Sequence, residues 1–443
     1  MSEQLRIAVV GLGYVGLTLS VALARRGVKV YGIEKRSQVV EMTNKGIPHF
    51  SEVGLDAALE EVTQSGMFVA AESLDGVQPL SQYIITVGTP LKQGTHMPRL
   101  DMIQQATEQV AAHMGNGASV ILRSTVRVGT TNEVVRPILD ATGRKFHLSM
   151  CPERTLEGDA LRELATLPQI IGGVDDAAAD LAASLFSRLT HTIVRVASPE
   201  TAEMIKLVDN TSRDVRFAFA NEVARACDAL GINALDVIRF GKLGYARTNV
   251  ALPGLVGGPC LEKDPHILLS SVADAGIDLE ITRASRLVNE RQPAETVDHI
   301  VDLLEKRGLK APFTATIAGL AFKGIPETDD LRGSMSLKVL DAMKASGKFA
   351  TLRAFDKVVS RDQMEALPYD LQVHDTLEAA VSGSDVLIIA NNHPVFGTIS
   401  IDMVDEIMSK GAIVFDFWNN LVTEAPAKLK NRYFSTGNRK GVY

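Results

Sequence analysis

Arg6–Glu34 reads RIAVVGLGYVGLTLSVALARRGVKVYGIE, and this stretch decides the fold. Arg6–Val10 (RIAVV) is rich in β-branched residues, the mark of a buried parallel strand. GLGYVG follows, with Gly11, Gly13 and Gly16, and then LTLSVALARR, an Ala/Leu-rich run of good helix propensity. Gly27 stands where a helix C-cap glycine belongs. Val28–Ile33 (VKVYGI) makes a second strand that ends at Glu34, 18 residues after Gly16. One βαβ unit is complete. Glycines at this spacing permit a tight turn and close approach to a pyrophosphate, whose charge sits on the helix N-terminus. Glu34 would accept hydrogen bonds from a ribose 2′-hydroxyl and repel a 2′-phosphate, which points to NAD; Arg36 nearby pulls toward NADP. The plainer alternative is a glycine turn needed only for packing.

Outward from this unit the alternation continues. Gln82–Pro90 (QYIITVGTP), Ala118–Val126 (ASVILRSTV), Phe146–Arg154 (FHLSMCPER) and Leu167–Gly173 (LPQIIGG) read as further strands, separated by helical patterns. That rhythm implies a doubly wound parallel sheet, with ligands bound beyond the carboxyl ends of the strands. From Pro199 to Leu230 there is no glycine, and no proline after the first, so the pattern predicts one helix closed by Gly231. At ~1.5 Å per residue it would span ~45 Å, enough to bridge two domains. A further helical stretch from about Ile281 to Leu304 is expected to be interrupted by Pro293. Phe313–Leu320 (FTATIAGL), Asp385–Asn392 and Gly411–Trp418 restart the strand rhythm. The expected fold class is α/β, two Rossmann-like doubly wound domains joined by a long central helix. The expected domains are 1–197, 198–306 and 307–443.

Composition narrows the class. The chain of 443 residues is 46% hydrophobic and 22% charged, ordinary for a globular protein and unlike a disordered one. A net charge of −7, without long blocks of either sign, disfavours nucleic acid or anionic lipid as partner. Cys151, Cys227 and Cys260 form neither a disulfide framework nor a metal pattern, which fits a reducing compartment. No apolar run approaches a membrane span, and MSEQLRIAVVG enters a strand pattern at once, so no signal peptide is expected and the expected location is cytoplasmic.

Several residues carry chemistry of their own. Lys206 and Asn210 share one face of the long helix, with Glu203 before them; that face is either a site or simply solvated. Cys260 lies in LVGGPCLEKDPH, where Pro259 and Cys260 are expected to open a helical turn carrying Lys263 and Asp264. A cysteine at a helix N-terminus near a lysine is a better thiolate than a free one; the alternative is a small buried apolar residue. Cys227 and Cys151 read as structural. Glu153 and Glu157, in CPERTLEG, are either a base with its orienting group or a solvated helix N-terminus. The Thr125 hydroxyl, in RSTVRVGT, would hold a water or cap a helix.

Together VVGLGYVG, TVGTP (Thr86–Pro90), RSTVRVGT (Arg123–Thr130), PERTLEG (Pro152–Gly158), the Lys206/Asn210 helix, GGPCLEKD (Gly257–Asp264) and GLAFKGIPETDDLR (Gly319–Arg332) resemble the UDP-glucose/GDP-mannose dehydrogenase family of nucleotide-sugar 6-dehydrogenases. The likeness covers essentially the whole chain. It implies an amino-terminal NAD domain, a carboxy-terminal domain for the nucleotide of a UDP-sugar, and a homodimer built on the central helix. It also implies a C6 alcohol oxidised to a carboxylate in two hydride transfers. Cys260 would then capture the aldehyde, Lys206 and Asn210 stabilise an oxyanion, and Asp264 and Thr125 handle an ordered water. Glu153 would be the base for thioester hydrolysis, with Glu157 supporting its loop. The resemblance assigns the cofactor to Gly11, Gly13, Tyr14, Val15, Gly16, Glu34, Arg36, Thr89, Thr125, Glu157, Lys263 and Arg332. It assigns the substrate to Glu153, Arg154, Lys206, Asn210, Arg247 (reaching across the dimer), Gly257 and Lys323, and no metal. Glu262 stands where the family commonly has proline. The PER sequence is closer to members that oxidise UDP-N-acetylhexosamines for surface polysaccharide than to UDP-glucose enzymes. Competing readings are a UDP-glucose or GDP-mannose enzyme, a one-step β-hydroxy-acid-type dehydrogenase that needs no cysteine, and a silent NAD-binding protein.

Overall fold

The computed structural model describes residues 4–400, 406–421 and 432–441. The chain forms two compact units: Met1–Asn210 with His266–Asp278, and Thr211–Pro265 with Leu279–Tyr443.

The first unit is built on eight strands: β1 (Arg6–Val10), β2 (Lys29–Ile33), β3 (Phe68–Ala71), β4 (Gln82–Ile85), β5 (Ala118–Leu122), β6 (Phe146–Met150), β7 (Gln169–Gly173) and β8 (Ile193–Arg195). They lie in the order β3-β2-β1-β4-β5-β6-β7-β8. The chain reverses its winding between β1 and β4, where doubly wound sheets bind their ligands. Alternate residues of β1 feed two apolar layers, Ile7 and Val9 on one face and Ala8 and Val10 on the other, so a strand buried on both sides needs an unbroken apolar run. One pairing departs from the all-parallel expectation: β6 and β7 run antiparallel through Ser149↔Gly173 and Met150↔Gly172. The link between them holds only the short helix Ala160–Thr166, against the longer Tyr14–Arg25 in the parallel crossover from β1 to β2.

The second unit carries β9 (Phe313–Ala318), β10 (Phe349–Phe355), β11 (Leu371–Val373), β12 (Val386–Ile389), β13 (Ile413–Asp416) and β14 (Tyr433–Ser435). All pairings in the order β11-β10-β9-β12-β13-β14 are parallel, the same winding as in the first sheet. Val386 and Ile388 face one apolar layer, and Leu387 and Ile389 the other.

The long helix is Pro199–Leu230, beginning in the first unit and ending in the second, with Gly231 at φ +71° closing it. The helix Glu280–Lys306 runs through Pro293 without interruption, contrary to expectation. Proline removes one donor, to the Asn289 carbonyl, and a buried helix of 27 residues has enough packing to absorb that loss. Among the described residues no helix is long and apolar enough to cross a membrane.

Candidate active site

The cofactor turn follows β1 directly. Gly11 adopts φ +97°, which only glycine takes without strain, and its N–H donates to the Ile33 carbonyl at 2.7 Å. A Cβ on Gly16 would lie 1.8 Å from the Gly11 carbonyl oxygen, so this glycine is required for the helix to start against the turn. A Cβ on Gly13 would meet nothing within 4 Å, so packing does not explain that glycine. The helix Tyr14–Arg25 opens directly at this turn, so its first backbone N–H groups lie there, with Val15 half-buried at its first turn. Glu34 sits just past β2; its Oε2 accepts from Leu12 N at 3.2 Å, and Arg36 Nε donates to its Oε1 at 3.1 Å. Burial alone would raise the Glu34 carboxyl, but Arg36 and the backbone donors hold it below its ordinary value. It is an anion at the end of β2, shared with the exposed side chain of Arg36.

Tyr14 puts its hydroxyl elsewhere. It donates to the buried carboxylate of Glu52, a residue that no sequence motif singles out. Thr89 is buried, its hydroxyl donating to the Thr125 carbonyl oxygen, while Thr125 itself is half-buried.

The loop after β6 holds the two glutamates. Glu153 is not solvated: it is buried and its carboxylate is fixed by four donors. Arg123 Nη2 and Nε donate to its Oε2 at 2.6 and 3.0 Å, and the N–H groups of Arg154 and Thr155 to its Oε1 at 2.7 and 2.8 Å. Burial would raise its pKa, but the Arg123 charge, the Thr155 N–H and the Lys206 charge lower it. Arg123 is itself fully buried, held by Gln169 Oε1 at 3.1 Å and packed over the Phe186 ring. Arg154 reaches Asp209 on the long helix at 3.3 Å, and Glu157 is half-buried.

Glu203, Lys206 and Asn210 all lie on a buried face of the long helix, so the solvated alternative does not hold. Glu203 Oε2 accepts from Gly129 N at 2.6 Å, and its Oε1 from Thr131 N at 2.8 Å and Thr131 Oγ1 at 2.6 Å. Glu203 thereby fixes the loop that carries Thr125. Burial outweighs these donors and pushes its carboxyl up to about 7.

The remaining candidates belong to the second unit. Cys151 and Cys227 are buried and Cys260 alone among the cysteines is not. Cys151 sits in the apolar layer beneath β1, where burial pushes its thiol up to about 12. Cys260 lies in the short helical turn Gly258–Leu261. The turn is shorter than expected: it closes before Lys263, and Asp264 opens the next helix, Asp264–Ala273. Lys263 Nζ bonds the buried Asp264 Oδ1 at 2.6 Å. Gly258 N donates to the Gly333 carbonyl at 2.7 Å, and Arg286 Nη1 to the Leu261 carbonyl at 3.0 Å, so the cysteine turn is pinned at both ends. A Cβ on Gly257 would lie 2.5 Å from that same Gly333 oxygen. Arg332, expected near the cofactor, is exposed and forks onto Asp330 at 2.6 Å. Lys323 is half-buried over the Phe322 ring, and Arg247 is exposed over Tyr245. Among the described residues no cluster of three or more His, Cys, Asp or Glu could hold a metal.

Sequence reading missed Arg123 and Glu52, because their role lies in burial rather than in spacing.

Three profiles of one family match the chain in order. They are the NAD binding domain of the UDP-glucose/GDP-mannose dehydrogenase family over residues 5–190, its central domain over 200–291 and its UDP binding domain over 316–423. A UDP-N-acetyl-D-mannosamine dehydrogenase of Pyrococcus horikoshii is 35% identical over 429 residues, 95% of this chain and 97% of that one. One of the same name from Methanococcus maripaludis is 31% identical, covering 96% of each chain. The solved structure of the Pyrococcus UDP-D-ManNAc dehydrogenase superposes with a TM-score of 0.88 at 33% identity, over 98% of this chain and 100% of that one.

Proposed function

The chain belongs to the UDP-glucose/GDP-mannose dehydrogenase family, and from that premise we propose that it oxidises the C6 alcohol of a UDP-N-acetylhexosamine to the uronate, with NAD as oxidant. The observation that carries the chemistry is Cys260, the one cysteine left accessible, on a turn pinned at both ends. UDP-N-acetyl-D-mannosamine is the first sugar to test, being the one named for the Pyrococcus and Methanococcus relatives.

Gly11, Gly13, Gly16 and Glu34 would hold NAD, which would supply the hydride acceptor for each of two oxidations at C6. Lys206 and Asn210 stabilise the C6 oxyanion as the hydroxyl proton leaves. The Cys260 thiolate then adds to the aldehyde carbon, retaining the intermediate and fixing its C–H for the second transfer. Loss of that hydride leaves a thioester, which water cleaves to carboxylate and free thiol. Thr125 and Asp264 hold that water. Glu153, fixed as an anion by four donors, remains our assignment of the base for the hydrolysis, with Glu157, the second carboxylate there, supporting its loop. Arg154, Gly257 and Lys323 contact the sugar nucleotide, and Lys263 and Arg332 the cofactor side.

The three-domain division at 197 and 306 remains our proposal, as do a cytoplasmic location and a role in surface polysaccharide synthesis. A homodimer through the central region fits the exposed Phe219, Leu230, Phe240 and Leu243, too apolar a set for free surface, with Arg247 reaching the partner's sugar. The test is a panel of UDP- and GDP-sugars read at NADH absorbance. Two NADH per uronate are expected, and Cys260→Ala should form no acid. One NADH with free aldehyde as final product would overturn the mechanism.

A further inference from the structure

We infer that Tyr14 and Glu52 are a positioning pair that fixes the glutamate loop, Pro152–Gly158, against the cofactor turn; this rests on the role proposed above for Glu153 and Glu157. Tyr14 is the first residue of the helix that follows Gly13, so its backbone belongs to the turn at the pyrophosphate position. Its ring is buried against Phe50, with centroids 5.0 Å apart. Its hydroxyl donates to Glu52 Oε2. The Gly158 N–H donates to that same oxygen at 2.6 Å and to the Tyr14 hydroxyl at 2.9 Å, and the Ala160 N–H donates to Glu52 Oε1 at 2.8 Å. Gly158 closes the loop that holds Glu157 and, four residues earlier, Glu153.

Two side chains thus connect the two segments. Glu52 is buried, and among the described residues no lysine, arginine or histidine pairs with it, so its charge is stabilised by this hydroxyl and these N–H groups. Burial and the adjacent Glu52 raise the Tyr14 hydroxyl far above its ordinary value, so it remains a donor throughout the working pH range. An aromatic serving only to fill space would be equally well replaced by phenylalanine. A hydroxyl that ties a catalytic loop would not be.

The test compares wild type with Tyr14→Phe, which keeps the ring, and Glu52→Gln, which keeps the volume. Amide exchange at Gly158 and Ala160 should accelerate at least tenfold in both variants, a reading that needs no substrate and stands whatever sugar the enzyme takes. The NADH dissociation constant, by calorimetry, should stay within about twofold. With a sugar that wild type oxidises, kcat should fall about tenfold in Tyr14→Phe at nearly unchanged KM, and the double variant should lose little more than the worse single one. Unchanged exchange, an unchanged kcat in Tyr14→Phe, or a loss of NADH affinity as large as the loss of rate would each overturn the inference. A wild type inactive on every sugar, with exchange still accelerated, would count against the function and not against the pair.

Discussion

The two sheets begin alike and then part. In the first unit Val10 pairs with Ile33, Gly11 turns at φ +97°, and Gly11 N bonds the Ile33 carbonyl. In the second, Ala318 pairs with Phe355, Gly319 turns at φ +90°, and Gly319 N bonds the Phe355 carbonyl. An acid follows each second strand and accepts from the turn: Glu34 from Leu12 N at 3.2 Å, Asp356 from Leu320 N at 2.6 Å and Ala321 N at 3.1 Å. The divergence is in what comes next. In the first half the helix starts at Tyr14, hard against the glycine turn. In the second, Gly319–Ser334 intervenes and the helix waits until Met335, so it does not follow the turn directly in sequence, although its first residues pack back onto it. Ser334 and Ser336 instead donate to the Leu320 and Gly319 carbonyls at 2.6 and 2.8 Å. The shorter acid is also saturated by backbone, since Asp356 Oδ1 takes the Val358 and Val359 N–H groups at 2.8 and 2.9 Å. Glu34 shares its oxygens with the exposed side chain of Arg36, which a ribose can displace. One winding therefore carries a helix that opens directly at the glycine turn in one copy, and in the other a helix whose first serines close onto the carbonyls of the turn.

The largest effect expected from this contrast is at Gly16. Gly16→Ala drives a Cβ into the Gly11 carbonyl and should cost ~3 kcal/mol or more in urea unfolding, with NADH binding lost. Gly13→Ala meets no atom, so its stability should stay within about 1 kcal/mol while NADH affinity falls at least tenfold. If both variants lose stability and affinity in proportion, the turn is a packing device in both halves and the contrast fails.

Next come the two acids. Asp356→Asn turns an amide N–H₂ toward backbone donors and should destabilise the protein by about 2–3 kcal/mol, leaving the NADH dissociation constant unchanged. Glu34→Gln should do the reverse: little change in unfolding, and about tenfold weaker NADH binding with smaller discrimination against NADPH. Parallel losses in both variants would erase the distinction between an exchangeable acid and a fixed one.

Much of this was legible from residues alone. The βαβ unit at Arg6–Glu34 and the helix Pro199–Leu230 appear where glycine spacing and the absence of breakers put them, because backbone geometry is a local matter. What spacing does not encode is which side of an element is covered. Lys206 and Asn210 looked equally suited to solvent, and only the packed face beneath them decides otherwise. That Glu153 is tied to Arg123 was not legible, because Arg123 lies on another strand's end, 30 residues away. Pro293 looked like a stop because the packing that carries a helix through it is tertiary. The antiparallel β6–β7 pairing is a tertiary choice that a list of strands leaves unread, since the β1–β2 connection of the same length gives a parallel pair.

A pH-dependent effect sharpens the comparison at the loops beyond the central strands. Each half buries a carboxyl under such a loop: Glu203 beneath Gly129 and Thr131, and Asp416 beneath Trp418 and Leu421. Burial raises both, Asp416 against donors that include the Tyr433 hydroxyl, and Glu203 to about 7 with Glu200 adding to the rise. A carboxyl raised in the folded state favours its protonated form there. Its contribution to stability is complete below the unfolded value of about 4.5 and is lost as pH climbs to about 7. Wild type should therefore lose roughly 2–3 kcal/mol relative to Glu203→Gln between those limits, measured by urea unfolding at half-unit steps. The same series on Asp416→Asn separates the halves. A slope that vanishes only in Glu203→Gln assigns the titration to the loop carrying Thr125, whereas equal slopes removed by either change would make the buried acid a property of the winding shared by both sheets.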